Sequence, residues 1–316
     1  MTAISSTIPQ TYVDQFSSNV FHLSQQKDSR LLPFVRMEQV SSAQRAFFDR
    51  IGETEMIEKV GRASQTQFQD VEWSRRRVTY RDWVWAHPVD QEEKLRLMHS
   101  PESELALAAR QAAGRKQDEI IIGSALGQSF AGRDGSVAVS LGNDQKIGAT
   151  DGSAFSKLTV ETLRLIREKF WENEAVMSED ETIELACTSR DIMNLLREEE
   201  ITSADFNNVR ALVNGEIDTF MGFRFHRLEL LPQLAASLSF DPADGSVGSG
   251  SGSLPIGANR CFAWVRDGVM MSLPQDIMGR VDERGDLNYA TQVYLKFSMG
   301  GTRMEEKKVV EVITKQ

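Results

Sequence analysis

"VNGEIDTFMGFRFHRLELLP", residues Val213 to Pro232, is the stretch on which the fold class turns. It reads as a glycine turn, a short apolar step, a second glycine, an alternating strand and a proline stop. Alternation places Phe223 and Phe225 on one strand face and Arg224 and His226 on the other. The stretch holds no obvious nucleophile, metal-ligand set or phosphate cradle.

The chain around it alternates helix and strand without an internal repeat. Upstream, a helix is predicted over Thr159–Trp171, burying Leu163, Ile166 and Phe170. A strand at Ile183–Cys187 follows, then a helix capped by Ser189 with Ile192, Leu195 and Leu196 inward. Downstream, the Gly/Ser-rich Asp241–Gly257 reads as a flexible loop. The C-terminal part is β-rich: Cys261–Val265, a hairpin turn at Asp267-Gly268, Val269–Leu273, a strand near Tyr289–Met299, then Lys308–Ile313. Residues 131–157 are glycine-rich with short β-like pieces.

A long helix precedes these. Ser100 is an N-cap type, Pro101 suits the first helical position, and Glu102 and Glu104 complement the positive end of the dipole. Leu105, Ala108, Ala109, Ala112, Ala113, Ile120 and Leu126 repeat at helical spacing up to about Gly127, with Gly114 as a weak point. Before it, "VEWSRRRVTYRDWVWAHP" reads as one strand with Trp73, Arg75, Arg77, Thr79, Arg81, Trp83 and Trp85 on one face. Residues 1 to about 50 are polar and read as an extended arm with a short helix near Ala43–Phe48. The fold class is α+β.

Composition narrows the function. A chain of 316 residues with 41% hydrophobic and 26% charged residues can bury a sizeable core. A net charge of −10 argues against a dedicated DNA-binding protein, which carries a broad basic face. Cys187 and Cys261 show no CxxC or Cys/His spacing and read as buried, reduced thiols. The N-terminus lacks the basic and apolar regions of a signal peptide. No apolar run approaches the roughly 18 residues of a membrane span, so a soluble protein made in the cytoplasm, with no membrane partner, is expected.

The candidate chemistry is sparse. The Gly/Ser loop at 248–253 lacks the Lys-Ser/Thr of a phosphate-binding loop and is followed by Pro255. His22, His87, His99 and His226 share no ligand spacing. The acid runs Glu92/Glu93, Glu179–Glu181 and Glu198–Glu200 look like solvated helix ends, and "RGD" at Arg284–Asp286 is three common surface residues. No catalytic residue, metal or cofactor is predicted, and the chain is not expected to be an enzyme. The consecutive Arg75, Arg76 and Arg77, flanked by Trp73, Trp83 and Trp85, fit either of two roles. They suit phosphate contacts and base stacking, or carboxylates on a neighbouring copy. The acidic chain favours the second.

At this point the order of elements resembles the major capsid proteins of tailed double-stranded DNA bacteriophages, whose shell fold is shared with encapsulin nanocompartments. The likeness runs over the polar arm, the Trp-rich strand and "HPVDQEEKLRLMHSPESELALAARQAAGRKQDEIIIGSALG", which looks like the lead into a long spine helix and the helix itself. "GEIDTFMGFRFHRLELLP" resembles the strand-and-turn signature late in the axial domain, and "YLKFSMGGTRMEEKKVVEVI" the closing strands with a Gly-Gly-x-Arg turn at Gly300–Arg303.

The resemblance implies a five-part organisation: an N-terminal arm (1–51), an extended loop in the form of a β-hairpin (52–98), a peripheral domain with the spine helix (99–155), an axial domain (156–258) and C-terminal peripheral strands (259–316). It implies hexamers and pentamers of this chain forming an icosahedral shell around packaged double-stranded DNA, held without sequence-specific binding. Portal, scaffolding and decoration proteins would be further partners. The virion would be the location and the bacterial host cytoplasm the place of assembly. Trp73, Arg75, Arg76, Arg77, Arg81, Trp83, Trp85 and Arg303 are the expected inter-subunit residues. An encapsulin-like shell, and a nucleic-acid-binding protein using the Arg/Trp strand, are the alternatives. No fused coiled-coil scaffold follows Met1, and no Lys/Asn/Glu set for covalent cross-linking is assigned.

Overall fold

A computed structural model describes residues 25–40, 44–59, 61–62, 65–66, 68–90, 102–152, 154–176, 181–197, 219–248 and 250–315. Its strands are β1 (Arg36–Met37), β2 (Arg45–Ile51), β3 (Trp73–Thr79), β4 (Arg81–Val89), β5 (Ser129–Ala131), β6 (Val137–Val139), β7 (Lys146–Gly148), β8 (Ile183–Cys187), β9 (Thr219–Phe220), β10 (Phe223–Arg227), β11 (Leu238–Phe240), β12 (Gly252–Leu254), β13 (Asn259–Trp264), β14 (Val269–Arg284), β15 (Ala290–Arg303) and β16 (Val309–Thr314). The helices are α1 (Glu102–Leu126), α2 (Val160–Glu172) and α3 (Ser189–Leu195).

The six-stranded sheet β7-β16-β13-β8-β10-β9 is the centre of the chain. Every residue of β8 is buried, as a central strand covered on both faces requires. Alternation divides its neighbours between two cores. Leu185, Cys187, Cys261, Ala263 and Phe223 pack with Leu163, Ile166 and Phe170 of α2. Ala186, Phe262 and Trp264 point the other way, into a core shared with α1, Leu31 and the long strands. Residues on both sides of position 258 share this sheet, because β13 and β16 run antiparallel and β13 also pairs with β8.

A second sheet, β1-β14-β15-β4, is built on the hairpin of β14 and β15, with β4 along its outer side. Helix α1 lies across it; at 25 residues it is about 37 Å long. It runs unbroken through Gly114, where a Cβ would stand 2.9 Å from backbone of Asp28 and Ser29. The glycine lets the arm cross the helix at backbone contact. A third sheet, β2-β3-β5-β6, joins the arm to the segment after α1.

Several expectations change. Residues 45–51 form a strand where a short helix near Ala43–Phe48 was expected. Ala46 and Phe48 are buried and Phe47 is exposed, and the pairing Ala46↔Val78 and Phe48↔Arg76 fixes the register. A non-local ladder overrides the weak local helical preference. The run Trp73–Trp85 is two strands, parted at Tyr80, whose N–H bonds to Gln44 O; β3 pairs with β2 and β5, β4 with β15.

Asp267-Gly268 closes no hairpin, because β13 and β14 lie in different sheets; a 3-10 turn at Arg266–Gly268 carries the chain between them. Gly300 and Gly301 lie inside β15, not in a turn. The Gly/Ser segment is largely built: β11 and β12 pair, and Phe240, Val247 and Leu254 form a small core with Ile313. Thr188, not Ser189, caps α3, in a reciprocal pair with Asp191. Other elements stand close to expectation: α2 begins after its Thr159 cap, and β8 spans Ile183–Cys187. The proposed Ser100 and Pro101 helix start, arm residues 1–24, residues 213–218 and the acidic residues Glu92, Glu93, Glu179 and Glu198–Glu200 lie outside the described residues.

Candidate functional site

The eight residues singled out in the sequence divide into an internal knot and an outer surface. Arg76 is 1% exposed and Arg303 0% exposed, so both are withdrawn from any inter-subunit surface. Alternation along β3 explains Arg76: Arg76 and Val78 face inward, and the Arg75/Arg77 face looks out. Arg76 Nη2 donates to Glu306 Oε1 at 2.5 Å. Arg50 Nη1 donates to Met304 O at 2.8 Å and lies 3.4 Å from Glu306 Oε2. Arg303 Nε stands 3.7 Å from the same carboxylate.

Arg303 has a second task. Its Nη1 donates to Ala125 O at 2.7 Å and Gly127 O at 2.9 Å, and its Nη2 to Val139 O at 3.3 Å. A cation thereby meets carbonyls left unpaired at the C-terminal end of α1. Burial pushes both guanidiniums down from their ordinary range, opposed by the charge of Glu306. Glu306 therefore ties the β2–β3 hairpin, the end of β15 and the end of α1 into one unit. Neither Glu306 nor Arg50 stood out in the sequence, since both sit in ordinary charged runs and meet only through the fold.

The outer residues are arranged differently. Trp73 is 67% exposed. Arg75 pairs with Asp49 at 2.6 Å across the exposed face of the β2–β3 ladder, and that contact lowers the aspartate pKa. Arg77 lies over the Phe130 ring at 4.6 Å. Trp83 lies under Lys116 Nζ at 4.1 Å, and Trp85 stacks with His87. Arg81, Arg77 and Trp83 share a cleft with Lys116 of α1. Trp83 and Trp85 also pack on the core beneath β15. Beyond β2 and β3, the segment 52–72 carries large apolar side chains in solvent: Met56 is 102% exposed and Phe68 92%.

Strand β10, in the opening stretch, is packed on both faces. Phe223 enters the core under α2. On the other face His226 Nε2 lies 2.6 Å from buried Glu184, and its ring rests between Phe34 of the arm and Trp264. The two thiols, Cys187 and Cys261, are buried, and burial pushes both well above the ordinary thiol range; they are inert as nucleophiles. Among the described residues no His, Cys, Asp and Glu cluster could hold a metal, and no helix is long and apolar enough to cross a membrane.

The sequence profile of a family described as phage capsid protein matches residues 8–315. The chain belongs to that family. Its role is structural: it is a major capsid protein, one that forms the shell of the virion. Solved structures with the same fold match over almost the full chain. The capsid of Ralstonia phage GP4 is 10% identical with a TM-score of 0.71, covering 99% of this chain and 98% of that one. The capsid of cyanophage P-SCSP1u is 12% identical with a TM-score of 0.70, over 97% and 94%. The acid-stable capsid of Helicobacter pylori bacteriophage KHP30 is 8% identical with a TM-score of 0.67, over 99% and 98%. A search of curated protein sequences finds no significant match. The capsid chain thus has the tailed-phage capsid fold, and its Gly–Phe strand is a piece of shell architecture.

Proposed function

We propose that copies of this chain join as hexamers and pentamers into an icosahedral head that encloses packaged double-stranded DNA. The family match over residues 8–315 carries this reading, and favours it over an encapsulin-like compartment. The acidic balance of −10 suits a container whose contents are driven in by other means than attraction. Portal, scaffolding and decoration proteins would be its partners, and the bacterial host cytoplasm its place of assembly. In this scheme residues 1–51 are the arm, 52–98 the extended loop, 99–155 and 259–316 the peripheral domain and 156–258 the axial domain.

The inter-subunit contacts would fall on Trp73, Arg75, Arg77 and Arg81 and on the apolar side chains of 52–72. Exposure of Met56 and Phe68 supports this, since large apolar groups held in solvent mark association surfaces. Trp83 and Trp85, half-buried on β4, would form the wall behind them. Arg76 and Arg303 would act only by holding the hairpin in place. Sedimentation of the purified protein tests the reading: megadalton particles are expected, and a stable monomer or small oligomer at high concentration would overturn it.

A further inference from the structure

We infer that the outer edge of β14 near the hairpin tip pairs antiparallel with the same edge of a second copy, across a two-fold axis at Val281. The inference rests on the capsid reading and adds a contact of a different kind to it. In the sheet β1-β14-β15-β4, β1 covers only Met270 and Met271 of that edge. From Leu273 onward no strand lies beside it among the described residues. The first part of the edge is closed to pairing. Pro274 has no N–H to give, and the register to β15 slips between Ser272 and Gln275 and again before Met278. Met278 to Arg284 then pairs one to one with β15, and every residue of that run is exposed. A regular strand with its outer N–H and C=O groups uncovered is a template for another strand.

Charge chooses the register. A two-fold axis normal to a sheet opposes residues whose side chains share a face, so each such axis passes through one residue of the strand. Centred on Val281, it sets Arg280 opposite Asp282 of the second copy, and symmetry makes that pair twice. Neither Arg280 nor Asp282 has an ion-pair partner among the described residues, although they stand two apart on one face. Opposite charges across a ladder attract, and like charges directly opposite repel. Centring on Arg280, Asp282, Glu283 or Arg284 would set that charge against its own copy. Centring on Met278 or Gly279 would run each strand into the slipped part of the other. In the Val281 register Glu283 meets Gly279, and Met278 lies along the aliphatic stem of Arg284, whose guanidinium Asp286 holds. Val281, 49% exposed, covers itself on the opposite face. This contact is isologous, whereas hexamers and pentamers close head to tail, so it joins one ring to the next.

Cross-linking in the full chain tests the axis. Cys187 and Cys261 are buried, so a cysteine placed on the edge is the reactive one. Val281→Cys would face its own copy at bridging distance, whereas two copies of Glu283→Cys would lie about 13 Å apart along the strands. Particles of each variant are treated with diamide, which is reduced as two thiols join, and run on a non-reducing gel. Val281→Cys should give covalent dimers and Glu283→Cys should not. Charge exchange tests the register. Arg280 and Asp282 are exposed, so their variants stay folded, which circular dichroism verifies. Arg280→Asp alone and Asp282→Arg alone should each lower particle yield at least tenfold by sedimentation, and the two together should restore most of it. Normal particles without the Val281→Cys cross-link, or with an equal cross-link at Glu283→Cys, would overturn the contact and leave the capsid reading intact. So would single charge variants that assemble normally. Wild-type protein that forms no particles would overturn both.

Discussion

Asp118, near the middle of α1, accepts the backbone N–H of Leu31 at 3.1 Å, a residue 87 positions earlier in the chain. The same carboxylate takes the N–H of Arg30 and the hydroxyl of Ser29, and it is fully buried. The arm is thereby fastened to the helix where Gly114 lets it cross.

Asp118→Ala should therefore detach the arm. It leaves buried amides without an acceptor, at a cost of about 3 kcal/mol for a charged partner lost. The urea midpoint of the subunit should fall, and limited proteolysis should cut within residues 25–35 of the variant before it touches the rest. Asp118→Asn, which keeps one acceptor oxygen, should fall between variant and wild type.

The Glu306 knot should be the most sensitive ion pair in the subunit. Glu306→Gln leaves Arg76 buried without its ion-pair partner and Arg303 with only the weaker influence of Glu311, and breaking a buried pair typically costs about 3–5 kcal/mol. Replacing Asp49, the partner of Arg75 on the open face, by Asn should leave the unfolding midpoint at its wild-type value, because solvent screens that pair. Thermal melts of the two variants side by side give the comparison.

Two glycines of one hairpin should behave oppositely. A Cβ at Gly300 would stand 2.7 Å from Thr79 O and 2.8 Å from Val78 Cγ1, so β3 has to move. Gly300→Ala should cost about 1–3 kcal/mol, as overpacking does. At Gly279 the nearest atom is Tyr294 O at 4.0 Å. Gly279→Ala should be neutral or slightly stabilising. Denaturant titration of both variants checks this.

The tip of the β14–β15 hairpin carries the pH-dependent element with the clearest sign. Arg284 holds Asp286 in a two-point pair, and its hydrogen bond brings the carboxyl down from 3.8 to about 2. A depressed pKa adds stability above the unfolded value that is lost as pH falls through the folded one. The tip should keep its pairing at pH 4 and lose it near pH 2. A carbon-13 NMR titration of the Asp286 carboxyl should show its midpoint near 2, and Arg284→Gln should return it toward 3.8.

Local pattern sufficed where burial was local. The amphipathic period of α2, the apolar β8 and the Phe223/Phe225 alternation in β10 all announced their faces, because each packs a continuous apolar stripe. Pattern failed where a distant partner decided the matter. Residues 45–51 are a strand because β3 lies beside them. The Gly/Ser segment is ordered because Phe240 and Leu254 find Ile313. Gly300 and Gly301 mark a close approach by β3, Met271 and Ser124, not a turn. The Arg/Trp run stands out in the sequence, but its centre, Arg76, points inward to an acid 230 residues away. No spacing rule reaches that far.

The central claim is that this chain closes into a shell, and negative-stain electron microscopy of the purified full-length protein tests it most directly. The account predicts closed, uniform particles built from many copies. Fields holding only single subunits or small open oligomers, from protein that is folded by circular dichroism, would contradict it.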